Sequence, residues 1–288
     1  MISRRENKAD LHMHTLASDG GYSPAELVRK CAEANVTLIA ITDHDTTSGL
    51  AEAAKEAARH GLSFVNGIEL STRFNEESID ILGYGIDPSD ASLQDKLAFH
   101  RNQRMKRMTE MIGKCREQGF EITEEDVKKF VTGDTYSRPH LAKALEAKGY
   151  VRNVADAFDR FIGYGRPCYV QKAEEMDPRE AIQLIHSAGG AAVLAHPVYY
   201  QLDDEVQEWV RLYGLDGIEI YHRDHSEKDI ARFKKLAEQI EQDQSCSLFR
   251  TGGSDFHHES YGRTGEEIGL TKLPFKYARS LADAFNVK

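Results

Sequence analysis

Val36-Thr37-Leu38-Ile39-Ala40-Ile41-Thr42 is an almost unbroken run of β-branched and apolar residues that stops abruptly at Asp43-His44-Asp45. A run of this kind, without polar alternation, describes a strand buried on both faces, as in parallel sheets covered by helices. Ahead of it, Ser23-Pro24 supplies a cap residue and a proline for a first helical turn, and Leu27, Cys31 and Ala34 keep helical spacing to about Asn35. Behind it, a second helix is predicted over about Thr47 to His60. A strand over Leu62–Asn66 follows, leading into Gly67-Ile68-Glu69.

The same unit of strand, polar strand end and helix recurs along the chain. Strands are predicted over Ile79–Tyr84, Ala191–Ala195, Asp216–Ile220 and Ser247–Thr251. The last three run into His196-Pro197, Tyr221-His222 and Gly252-Gly253-Ser254-Asp255-Phe256-His257. Helices at about 177–188, 203–212 and 226–242 separate them. This alternation predicts an α/β fold, a parallel β/α barrel whose chemistry sits at the C-terminal ends of the strands. Between about 92 and 165 the alternation breaks. A long charged helix over 92–118 is expected there, then shorter helical pieces around 124–130, 138–148 and 153–162, punctuated by Gly149, Gly163 and Gly165. The division is therefore a barrel over 1–91 and 166–288 with a helical insertion, 92–165, as lid or substrate-recognition piece.

Composition narrows the function. With 288 residues, 40% hydrophobic and 29% charged, the chain is long enough to bury a large core. It has no apolar run of membrane-spanning length, and Met1-Ile2-Ser3-Arg4-Arg5-Glu6-Asn7-Lys8 lacks the apolar middle of a secretory leader. Cys31, Cys115, Cys168 and Cys246 are widely spaced, which predicts reduced thiols in a cytoplasm and neither a zinc-thiolate site nor a disulfide framework. A net charge of −10 argues against coating duplex nucleic acid. It leaves room for a small phosphorylated substrate, met locally by metal ions and a few arginines.

Chemistry concentrates at the strand ends. In Asp10-Leu11-His12-Met13-His14-Thr15, the two histidines share one side of a strand, or reach into one pocket from its end. Asp19, Asp43, His44, Glu69, His196, Asp255 and His257 join them. Imidazole and carboxylate donors without thiolates suit Zn²⁺, Mn²⁺ or Fe²⁺. They exceed what one ion needs, so a multinuclear site follows, with Glu69 as a bridging carboxylate.

Asp10-Leu11-His12-Met13-His14-Thr15, Thr42-Asp43-His44-Asp45, Gly67-Ile68-Glu69, Ala195-His196-Pro197 and Gly253-Ser254-Asp255-Phe256-His257 resemble, in order, the motifs of the PHP (polymerase and histidinol phosphatase) family. The resemblance implies a distorted (β/α)7 TIM-like barrel holding two to three divalent ions: manganese, zinc or iron, with magnesium as a further option. It implies His12, His14, Glu69 and Asp255 around one ion, Glu69 and His196 at a second, and Asp19, His44 and His257 at a third. Many relatives carry a histidine ligand in the strand after Glu69. Here that place is Asp80, in Ile79-Asp80-Ile81-Leu82-Gly83, expected to ligate as a harder oxygen donor.

Within the family, the insertion and Ser137-Arg138-Pro139-His140 resemble the branch acting on nucleoside 3′,5′-bisphosphates and the related enzymes that trim RNA 5′ ends. Arg138 has a physical role independent of that likeness, because a guanidinium matches phosphate oxygens in a planar, bidentate way. His140 is expected to reinforce that contact or orient a phosphate. The expected enzyme is a metal-dependent phosphomonoesterase acting on a small phosphorylated nucleotide such as adenosine 3′,5′-bisphosphate, or on short single-stranded RNA. His222 or a water would protonate the leaving group. An L-histidinol phosphate phosphatase and a non-catalytic metal- and nucleotide-binding module are the alternatives.

Other residues carry plainer expectations. Asp10 and Asp43 are either turn residues or supports for a ligand histidine, and Asp45 is expected to cap the following helix. His60, His100, His186 and His258 read as surface or helix-end residues, and His225 as more remote from substrate than His222. Arg101, Arg104 and Arg107, at helical spacing, read as a solvated face. Tyr22 either packs or stacks on a base, and Gly252-Gly253 reads as a tight strand-end turn.

Overall fold

The computed structural model describes residues 7–288 apart from 76, 134, 172–174, 262–264, 266 and 271; most of the stretch read for a leader lies outside them. The chain begins with β1 (Lys8–Asp10), α1 (Pro24–Glu33), β2 (Val36–Ile41), α2 (Leu50–His60), β3 (Ser63–Phe74) and β4 (Glu77–Tyr84). There follow α3 (Ala91–Glu117), α4 (Glu124–Lys128), α5 (Arg138–Ala147) and α6 (Val154–Ala157), which runs into a π-helical turn at Phe158–Ile162. The chain closes with α7 (Pro178–Ser187), β5 (Ala191–Leu194), α8 (Asp203–Tyr213), β6 (Gly217–His222), α9 (Glu227–Gln244), β7 (Phe249–Gly253) and α10 (Phe275–Ala284).

The strands form one sheet in chain order, β1 to β7. The sheet curls until its edges meet: Leu11 N–H donates to the Gly252 carbonyl at 3.2 Å, and His14 N–H to that of Phe256 at 2.9 Å. The fold is thus a nearly closed seven-stranded α/β barrel, as expected. Gly253 makes the seam possible. A Cβ there would fall 2.3 Å from the Cβ of His12, so only glycine lets β7 lie this close to the chain leaving β1.

The alternation of helices and strands is reproduced closely, and α1 starts as read, with Ser23 and Glu26 completing a capping box behind Pro24. One expectation is corrected. The strand expected to stop at Asn66 continues to Phe74, turns through Asn75 at φ 47°, and returns as β4 paired antiparallel along Gly67–Phe74. β4 and β5 are also antiparallel, so the sheet is mixed rather than wholly parallel.

That reversal explains the insertion. β4 brings the chain back to the end of the barrel away from the strand-end histidines, and α3 climbs the whole length again. Its 27 residues span roughly 40 Å. Leu93 and Leu97, in its first half, belong to the barrel core. Met108, Met111, Ile112 and Cys115, in its second half, belong to a separate core with Ile122, Leu141, Leu145, Ile162 and Cys168. Among the described residues no helix is long and apolar enough to cross a membrane, and the four cysteines are free thiols.

Candidate metal centre

His12 and His14 lie beyond the end of β1, so they reach one pocket from a strand end rather than from the strand itself. His44 follows β2, Glu69 lies within β3, Asp80 within β4, His196 just past β5, and Asp255 and His257 just past β7. Parallel pairing persists into these ends, with bridges at Met13–Phe256 and His44–Glu69. His196 and Asp255 hold left-handed backbone, φ 26° and 49°. Such conformations are costly away from glycine and gather where a site must aim a side chain.

The candidate ligands converge. Nε2 of His14 is 3.2 Å from both Glu69 Oε2 and Asp255 Oδ1, and His12 Nε2 is 3.4 Å and 3.7 Å from the same two atoms. The other Glu69 oxygen is 3.1 Å from His196 Nε2, which is 3.8 Å from Asp80 Oδ2. His44 Nδ1 stands 3.3 Å from Glu69 Oε2. Asp19 Oδ1 is 3.3 Å from His257 Nε2 and 3.8 Å from His14 Nδ1. Among the described residues, three groups have donor atoms within 4.8 Å of one another: His12, His14 and Glu69; His44, Glu69 and Asp80; and His14, Asp19, His44 and His257. Glu69 enters two of them, as a bridging carboxylate would.

This donor set fits divalent ions. Among the described residues, His12 Nε2, both ring nitrogens of His14 and His44 Nδ1 are buried without a hydrogen-bond partner, a state natural proteins rarely leave uncompensated. The field favours positive charge. Burial opposes protonation of His14, yet Asp255 and Glu69 beside it push its pKa up to about 10. Burial likewise works against the Glu69 carboxylate, but His44 and His12 hold it well below the usual range.

A supporting layer surrounds the ligands, and part of it escaped the sequence reading. Glu219, fully buried in β6, is 3.0 Å from His12 Nδ1 and accepts the backbone N–H of His196 at 2.8 Å. It therefore sets the ring of one candidate ligand and the backbone of another. Tyr200 Oη lies 3.1 Å from His196 Nδ1 and accepts the N–H of Asp80 at 3.2 Å. The Asp43 carboxylate accepts from Thr15 N–H, Thr15 Oγ1 and Ser18 Oγ, which fixes the loop carrying Asp19. Asp10 accepts from the Ser254 N–H at 2.9 Å and so anchors the Asp255 loop rather than a histidine ring.

His44, Asp80, Asp19 and His257 open onto a cavity of about 1000 Å³, roofed by the insertion. Arg104, Arg107 and Arg138 line the same cavity, which overturns the solvated-face reading for Arg104 and Arg107. Arg104 is buried, with Nε 2.6 Å from Asp45 Oδ2 and an Nη2 hydrogen bond to Ser71 Oγ at 2.8 Å. Asp45 is therefore an arginine clamp; α2 begins after Gly49 without any side-chain cap. Arg107 donates to the Val170 carbonyl, and burial together with the charge of Arg138 lowers its pKa to about 10. Arg138 lies over the rings of Phe158 and Tyr169.

Two further expectations are corrected, those for His140 and His100. His140 does not face the cavity: it is 1% exposed, its Nδ1 accepts the Ser137 N–H at the start of α5, and burial lowers its pKa to about 4. A neutral ring so used offers a phosphate no charge. His222 has a fully buried side chain, with Nδ1 accepting the Asp224 N–H and Nε2 3.6 Å from Asp255 Oδ2. It stands beside Asp255, and among the described residues its Nε2 is buried without a hydrogen-bond partner, like those of His12 and His14. His100 is buried against Phe99. Tyr22 packs beside Phe256 and His258, with its hydroxyl on Glu259.

Residues 10–222 match the PHP domain. The chain is 33% identical over 268 residues to a 3′,5′-nucleoside bisphosphate phosphatase of Chromobacterium violaceum, covering 91% of each. It is 34% identical over 258 residues to the 5′-3′ exoribonuclease Rnm of Escherichia coli, covering 86% of this chain and 84% of that one. A solved structure from Bifidobacterium adolescentis, described as a metal-dependent phosphoesterase, superposes with a TM-score of 0.86 at 29% identity and covers 96% of both chains.

Proposed function

The chain belongs to the PHP domain family and is a metal-dependent phosphoesterase; on that premise we propose that it hydrolyses the 3′-phosphate of nucleoside 3′,5′-bisphosphates and the equivalent linkage at the 5′ end of short RNA. One observation carries the reading: among the described residues four guanidiniums, those of Arg73, Arg104, Arg107 and Arg138, share a cavity with the candidate metal-ligand carboxylates. Arginines crowded and desolvated beside one another raise each other's cost, and a second phosphate on the substrate relieves it. The Chromobacterium and Escherichia relatives, a bisphosphate phosphatase and an exoribonuclease, support the same substrate class.

The two activities are one reaction. A water oxygen bonds to phosphorus, the P–O3′ bond of the first nucleotide breaks, and O3′ takes a proton from that water. If phosphorus carries no further ester, the products are a nucleoside 5′-phosphate and inorganic phosphate. If it carries the next nucleotide, the products are the same 5′-nucleotide and a shortened strand with a new 5′-phosphate. His12, His14, Asp19, His44, Glu69, Asp80, His196, Asp255 and His257 would hold divalent ions, whose chemistry there would be to acidify a water and neutralise phosphoryl oxygens. Arg138 and Arg107 seat the 5′-phosphate through paired N–H donors, while Asp45 holds Arg104 at the same wall. A single-phosphate substrate such as L-histidinol phosphate would leave Arg107 and Arg138 without an anion.

Incubation with adenosine 3′,5′-bisphosphate should release phosphate in the presence of Mn²⁺, Zn²⁺ or Mg²⁺. No release above an Asp255→Asn control with any of them would sink the proposal. Arg138→Ala should raise KM for the bisphosphate at least about tenfold, a loss typical of a bidentate charged contact. It should leave KM for adenosine 3′-monophosphate nearly unmoved.

A further inference from the structure

Tyr199 lies at the mouth of the cavity, in the short turn Pro197–Tyr199 that directly follows His196. Its ring is 5.1 Å from that of His196 and 6.1 Å from that of His222, yet the residue is 54% exposed. The ring is not loose. Its hydroxyl donates to the Asp224 carboxylate, whose Oδ2 is 3.3 Å from Arg223 Nε, and Arg223 Nη2 is 3.4 Å from Asp255 Oδ2. A chain of polar contacts thus ties the exposed ring to a candidate metal ligand. An aromatic face held open in this way is pre-organised for a planar partner.

The arginines line the same cavity. Arg138 sits over Phe158 and Tyr169, and the exposed Tyr164 packs edge-on against Tyr169. A nucleotide with its 5′-phosphate on the arginines and its 3′-phosphorus at the metal ligands fills the space between. Tyr199 lines the same cavity beside His196, which puts its exposed ring within reach of whatever else is bonded to that phosphorus.

We propose that Tyr199 is the stacking platform for the base of the second nucleotide, so that the site takes 5′-phosphorylated single-stranded oligonucleotides in register and not only mononucleotide bisphosphates. The proposal rests on the phosphoesterase reading with its 5′-phosphate anchor, and it names Tyr199 as the residue that selects strand over mononucleotide. Stacking tolerates every base, because each has a π-face, so cleavage should proceed with little sequence preference.

Two measurements test it. The first is the ratio of kcat/KM for a 5′-phosphorylated trinucleotide to that for adenosine 3′,5′-bisphosphate. Tyr199→Leu should lower this ratio about tenfold, in line with the loss of one base–aromatic stack, and Tyr199→Phe, which keeps the face and loses only the hydroxyl tie to Asp224, should lower it less. An unchanged ratio in Tyr199→Leu overturns the platform. The second is fluorescence quenching of 2-aminopurine placed as the second base of that trinucleotide, bound to the Asp255→Asn protein. Quenching lost only on adding Tyr199→Leu supports the platform; quenching absent, or indifferent to Tyr199, overturns it whatever the rates. Quenching that depends on Tyr199, with no phosphate released from the bisphosphate by wild type, would reject the phosphatase reading and leave the platform standing.

Discussion

Glu219 is the one acid in the buried strand Gly217-Ile218-Glu219-Ile220-Tyr221-His222, where an unpaired carboxylate would be prohibitively placed. Its oxygens serve His12 and His196, so Glu219→Gln should weaken metal binding roughly 10- to 100-fold, as outer partners of metal-bound histidines typically do. Competition against a graded chelator measures this, and an unchanged affinity would remove Glu219 from the site. His140 makes a separate prediction about pH. Its ring is harder to protonate in the fold, at about 4, than its ordinary 6.5. The stability it confers is therefore complete above pH 6.5 and drains away as pH falls toward 4. His140→Gln keeps an acceptor for the Ser137 N–H, as in an ordinary capping box. Urea unfolding should show the variant losing about 3 kcal/mol less than wild type between pH 7 and pH 4. At this scale most candidate ligands were legible because they end or follow an apolar strand, whereas Asp80, inside one, was legible only through the resemblance. Glu219, Asp45 and Tyr199 were less so, because their partners lie far away in the chain. Even so, a lone glutamate inside an apolar strand was a signal worth reading.

The long helix α3 shows how an element can mislead. Arg101, Arg104 and Arg107 look like the wet side of a charged helix because local spacing carries no information about what a roof will cover. Burial of Arg104 against Asp45 predicts that Asp45→Ala, which strands the guanidinium, should cost about 3 kcal/mol or more. Chemical denaturation gives the stability, and KM for the bisphosphate should rise in the same variant. The hairpin of β3 and β4 is the other element misjudged. Apolar periodicity is blind to strand direction, but spacing is not. The interval between the expected strands, residues 67–78, barely reaches the dozen or so residues a parallel crossover needs, so an antiparallel return was open in the interval rather than in the residues.

For the whole molecule, the barrel is closed by a seam at its most functional edge, where β7 meets the chain carrying His12. Gly253→Ala forces a Cβ into the His12 backbone and should cost about 3 kcal/mol, lowering Tm by roughly 5–10 °C. Calorimetry with and without added metal reads both consequences, because the ligands and the seam share residues. The climb of α3 has another effect. One continuous rod is rooted in the barrel core through Leu93 and Leu97, passes the cavity at Arg104 and Arg107, and ends in the core of the insertion. The molecule is in this respect a calliper: the metal ligands are the fixed jaw, the arginines the sliding one, and the rod sets the gap between them. Splicing a single alanine between Leu97 and Arg101 would turn the arginine jaw by about 100° and advance it by about 1.5 Å. Both cores would survive, while under the proposed function the gauge for two phosphates one nucleoside apart would be lost.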